Sequence, residues 1–129
     1  MNKKWILLLI LFILGFFIRV IPLQQAHWWD ETVYLQMSEV VFSDLNNYDE
    51  FYLRPPLLPL VLAASYLFWH NVFMAGIVVA LFGSLGIIFI YLIGEGLFNK
   101  RVALISAIFF TFLPYFVQSS HWIMSDIPL

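Results

Sequence analysis

Asp30 and Glu31 are adjacent carboxylates set just past the end of an apolar stretch. Trp5 to Ile18 carries no charge, and the run continues through Arg19 to Leu23. Next to a membrane segment, two carboxylates serve to meet a cation, a proton or a polar substrate. Trp28 and Trp29 stand directly before them, and tryptophan concentrates at the membrane–water interface. The pair therefore marks a candidate polar site at the membrane surface. The other residues able to do chemistry are spread along the chain: Arg19, His27, Tyr34, Arg54, His121 and Asp126.

The elements that position them follow from composition. The chain is 63% hydrophobic and 11% charged, where a soluble domain carries about 25% charged residues. Mean hydropathy is +0.91. The 14 Phe, 6 Tyr and 5 Trp suit lipid contact and interfacial belts. A net charge of −2 leaves no basic surface for nucleic acid. Cysteine is absent, which excludes disulfides and thiolate metal sites.

A helical span needs about 20 mainly apolar residues. The expected spans are 5–23, 72–93 and 102–120. Residues 57–69 follow Pro55-Pro56 and contain Pro59; the segment is short for a crossing and is expected to stay outside. Lys3-Lys4 and Lys100-Arg101 favour the cytoplasm. The N-terminus and the turn 94–101 are then cytoplasmic. The loop 24–71, Asp30, Glu31 and Asp126 share the extracytoplasmic face. Arg19 lies near the outer end of the first span, within reach of the interface. Glu95 reads as a solvated helix-end charge. A cleaved signal peptide is the alternative for the first span.

Within the outer loop, Val33, Tyr34, Met37, Val40 and Val41 recur at helical spacing. They predict a surface helix over 31–42 with Gln36, Ser38 and Glu39 off its apolar face. Asp30 fits the cap of that helix, whose N-terminus favours a negative charge. Residues 121–129 form an outer loop and the start of a further element, as in the N-terminal part of a larger protein. The expected fold class is an all-α, polytopic membrane protein with a long outer loop carrying juxtamembrane helices.

Four pieces, in this order, resemble the N-terminal part of GT-C membrane glycosyltransferases. The likeness is to the dolichyl-phosphate-mannose-protein mannosyltransferase and aminoarabinose transferase branch. They are Arg19 followed by Asp30-Glu31-Thr32-Val33-Tyr34; Arg54-Pro55-Pro56-Leu57-Leu58; Phe98-Asn99-Lys100-Arg101-Val102-Ala103-Leu104; and Ser125-Asp126-Ile127-Pro128-Leu129. The resemblance implies transfer of a sugar from a polyprenyl-phosphate carrier to a protein, lipid or glycan acceptor outside the cytoplasm. Asp30 is then the candidate base, with Glu31 beside it as the second candidate catalytic carboxylate. Glu31 and Asp126 are candidates to orient the acceptor or to hold a divalent cation. Arg54 is the candidate phosphate ligand, since guanidinium contacts two phosphate oxygens at once. Arg19 is a candidate for the same task or an interfacial anchor, and Tyr34 is a candidate substrate contact. Asp30 and Asp126 are candidate ligands for a divalent cation, with Mg²⁺ or Mn²⁺ suited to oxygen donors. His27 and His121 are candidates to join them or to act as polar anchors.

Two other classes remain open on the sequence. A non-catalytic membrane interaction or assembly protein fits the short chain. A transporter component fits less well, because the clear spans contain almost no ionisable residues.

Overall fold

A computed structural model describes residues 3–21, 29–44 and 55–123. The elements are α1 (Lys3–Val20), α2 (Trp29–Ser43), α3 (Leu57–Tyr66), α4 (Val72–Leu97), α5 (Lys100–Phe112) and α6 (Pro114–Ser119). Among the described residues the fold is all-α, with no strand.

The helix boundaries have local causes. Asn71 caps α4 by accepting the Phe73 amide at 3.2 Å. Asn99 caps α5 by accepting the Arg101 and Val102 amides, each at 3.0 Å. Both side chains satisfy amides that have no partner inside the helix. In α3, Pro59 falls in the first turn, where a missing N–H costs little. Its ten residues span about 15 Å, too short to cross a bilayer. Helix α4 has 26 residues and is the one described helix both long and apolar enough to cross. Helix α1 has 18 residues and includes Lys3, Lys4 and Arg19.

Helices α1, α4 and α5 pack antiparallel in sequence order. At one end, Lys4 at the start of α1 pairs with Glu95 at the end of α4. Midway, Leu8 and Leu11 meet Ile87 and Tyr91, with Ala103 and Ala107 of α5 closing the cluster. Glycine allows the close approach of α4 to α5: a Cβ on Gly94 would stand 2.9 Å from Ala103 Cα. At the other end, Gly83 of α4 faces Arg19 and Ser120.

Helices α2 and α3 pack on each other and on the first half of α4. Tyr34, Leu58, Leu62, Ala75, Val79 and Ile123 form one buried cluster, and Met37, Val41 and Ala63 form another. Two details correct the sequence reading. Glu95 is tied to Lys4, whose ammonium also lies over the Trp5 and Tyr91 rings. Ser38 is fully buried, its hydroxyl bonded to that of Tyr66 at 3.1 Å, because α3 covers that side of α2 as well.

Candidate functional site

The arrangement at the Arg19 end starts with a proline. Segment 102–120 is divided into α5 and α6 at Leu113–Pro114. Proline restricts the preceding residue to extended backbone, and Leu113 has ψ 122°. Pro114 also has no N–H to give to the carbonyl four residues earlier, that of Phe110. The break leaves the last carbonyls of α5 without helical partners.

Arg19 fills that gap from α1. Its Nη2 donates to the Phe110 carbonyl at 3.1 Å and its Nη1 to the Thr111 carbonyl at 3.4 Å. Nη1 also donates to the Gly15 carbonyl at 3.0 Å, and Nε to Ser120 Oγ at 3.2 Å. The guanidinium stands over the Phe110 ring as well. A cation at the C-terminal end of a helix is favoured by the helix dipole. Arg19 is completely buried. The expected reach toward the interface is therefore corrected: the orphaned carbonyls draw the side chain inward.

Ser120 accepts from Arg19 and donates to the Phe116 carbonyl at 2.8 Å. The amides of Ser120, His121 and Trp122 return to the carbonyls of Val117, Gln118 and Ser119. The next amide, that of Ile123, goes to Glu31 Oε1 at 2.9 Å. Glu31 is 3% exposed. The acidic segment and the chain beyond α6 thus meet directly across 92 positions of sequence.

His121 sits between these two ties. Its Nε2 is buried and has no hydrogen-bond partner among the described residues. Burial lowers its pKa from the ordinary value, and the Arg19 charge lowers it further; a hydrogen bond to the Ile18 backbone acts in the opposite sense. The arrangement favours a neutral imidazole.

Asp30 stands in the first turn of α2, one residue inside the helix rather than at its cap. It is half-buried, and Trp29 beside it is exposed. Tyr34 is buried with its ring in the cluster shared with Ile123. The structure therefore brings Glu31, Tyr34, Arg19 and His121 to one end of the bundle, with Asp30 adjoining Glu31. Arg54, Asp126 and His27 lie outside the described residues. Among the described residues, no three His, Cys, Asp or Glu side chains gather as a metal site requires; the proposed Asp30–Asp126 pairing involves a residue beyond them.

Sequence reasoning missed Ser120 and the Ile123 amide as partners of this end. Pro114 was the available signal, since a proline inside an apolar helical segment frees carbonyls that need donors. On the outer face of α5, an apolar groove of about 400 Å³ is lined by Ile105, Ile108, Phe109, Phe112, Leu113 and Pro114.

Comparison with known proteins defines the class. The family model for dolichyl-phosphate-mannose-protein mannosyltransferases matches residues 53–129, more than half of the chain. The chain belongs to that family, and this makes it mannosyltransferase-like among glycosyltransferases. Family membership and the apolar helix α4 both favour a membrane protein. The match includes Arg54, the Asn99–Arg101 turn and Asp126, and it begins after Arg19, Asp30, Glu31 and Tyr34. No curated protein and no solved structure matches.

Proposed function

We propose that this chain forms the N-terminal part of a multi-pass membrane glycosyltransferase. It moves a sugar from a polyprenyl-phosphate carrier to a protein, lipid or glycan acceptor on the extracytoplasmic face. The observation that carries the reading is the contact between Glu31 and the Ile123 amide. It joins the acidic segment, which precedes the family match, to the far end of the matched region. Asp126 follows Ile123 by three residues, about 10 Å of fully extended chain at most. Asp30 and Glu31 stand at the end of the bundle opposite Lys4, Lys100 and Arg101, in keeping with lysine and arginine on the cytoplasmic side.

In this reading Asp30 is the general base. It takes the proton from the acceptor hydroxyl or amine as that group attacks the anomeric carbon. The bond from that carbon to the phosphate oxygen breaks in the same step, which inverts the configuration. Asp30 must come within about 2.6–3.2 Å of the transferred proton in the reactive complex. Arg54 stabilises the departing phosphate, being a guanidinium just ahead of α3. Asp126 orients the acceptor or joins Asp30 on a divalent cation. The apolar groove beside Pro114 suits an isoprenoid chain. Tyr34 supports α2 from beneath, and Arg19 holds the α5–α6 break together.

The test is sugar transfer in membranes containing the full reading frame, from a labelled polyprenyl-phosphate sugar pool. Asp30→Asn at matched expression is expected to lower transfer by about 10²-fold or more, the range for loss of a general base. Transfer that survives the substitution removes Asp30 as the base. No transfer from any donor moves the chain to the non-catalytic class.

A further inference from the structure

Asp30 and Glu31 are neighbours in sequence and differ in surroundings. Successive residues on a helix point about 100° apart, so the first turn of α2 sends the two side chains off in different directions. Asp30 is half-buried beside an exposed Trp29. Glu31 is turned into the protein, on the same face as Tyr34 three residues later. Its Oε1 accepts the Ile123 N–H at 2.9 Å.

That amide is the first one past α6 whose acceptor is not a nearby carbonyl. The three before it close turns on Val117, Gln118 and Ser119. Ile123 is 3% exposed, so its N–H needs an acceptor from within the protein. At the other end of the same four residues, Arg19 Nε holds Ser120 Oγ. The segment Ser120–Ile123 is therefore tied twice, once to α1 through Arg19 and once to α2 through Glu31. Between the ties lies His121.

We propose that Glu31 is a positioning residue, and that its oxygen holds the Ser120–Ile123 segment against the first turn of α2, where Asp30 acts. The pair divides its work: Asp30 is the base in the proposed reaction, and Glu31 fixes the wall of the site. The proposal rests on the glycosyltransferase reading for its catalytic consequence, and its structural half stands on the Glu31–Ile123 contact alone. The tie to Ile123 uses an acceptor oxygen at position 31, which an amide side chain also offers.

Two variants separate these demands. Glu31→Gln keeps an oxygen at that reach, and Glu31→Ala removes it. Both are compared in the full-length protein by transfer assay and by amide hydrogen exchange of the peptide containing Ile123. Glu31→Ala is expected to speed exchange there by about tenfold or more, the factor for loss of one buried hydrogen bond, and to lower kcat while leaving donor KM little changed. Glu31→Gln is expected to restore slow exchange and most of the transfer. A Gln variant as inactive as Ala, with slow exchange retained, overturns the proposal and makes the charge itself catalytic. Unchanged exchange in Glu31→Ala also overturns it, whatever the activity. The two failures are distinct: an unsubstituted protein that transfers no sugar refutes the enzyme reading, whereas the exchange result judges the tie.

Discussion

Each end of the three-helix bundle fixes a cation of α1, and the two ends do it by different means. At one end, Lys4 meets Glu95 across 91 positions, with the two side chains 27% and 21% exposed. At the other, Arg19 is completely buried and its guanidinium is held by carbonyls and a hydroxyl. The lysine end is an ion pair with access to solvent, of the kind that contributes little to stability. The arginine end is a hydrogen-bond hub whose removal strands the Phe110 and Thr111 carbonyls. Only the second end carries the Asp30-Glu31 pair and the segment just beyond α6. The difference suggests where the chain needs rigidity: at the end we assign to chemistry.

The largest expected effect comes from breaking the hub. Arg19→Met is expected to destabilise the protein by on the order of 3 kcal/mol, as buried carbonyls lose their donors. Lys4→Met at the opposite end is expected to cost less than about 1 kcal/mol. Thermal unfolding in one detergent compares the two. Pro114 sharpens the comparison, because Pro114→Ala supplies an amide for the Phe110 carbonyl. In that background the cost of Arg19→Met is expected to fall by about 1 kcal/mol. An equal cost in both backgrounds would detach Arg19 from the proline break.

A smaller effect is expected from pH. His121 has a pKa below its ordinary value of 6.5 because of burial first and the Arg19 charge second. The unfolded chain then takes up a proton more readily than the folded one. The neutral imidazole's contribution to stability is complete above about pH 6.5. It is lost as pH falls through the lower folded value. His121→Gln is expected to flatten the acid side of the stability profile, read as Tm from pH 7.5 down to pH 5. A profile unchanged by the substitution would remove His121 from the linkage.

How far the sequence discloses this depends on distance along the chain. The helical class and the long apolar α4 follow from composition and from unbroken hydropathy, which are local. The burial of Glu31 was also within reach, since it shares a helix face with Tyr34, Met37 and Val41. The ties themselves were not. Arg19 at the end of an apolar segment has one local meaning, a charge near an interface. Its actual partners lie 91 to 101 residues away, apart from Gly15. Pro114 was visible, but a proline says only that carbonyls are freed, not which donor reaches them. Glu95 similarly looked solvated until Lys4 was brought beside it by antiparallel packing. The family resemblance rested on the order of motifs, and the match over residues 53–129 supports its later pieces.

The central claim is that the Arg19 and Lys4 ends face opposite sides of a membrane, with the acidic end outside. The chain has no cysteine of its own, so single substitutions can report on sidedness. Ser43→Cys marks the exposed end of α2, and Lys100→Cys marks the exposed α4–α5 turn. In intact cells, a membrane-impermeant maleimide is expected to label Ser43→Cys at once and Lys100→Cys only after permeabilisation. Labelling of both from the same side, or the reverse order, would contradict the account.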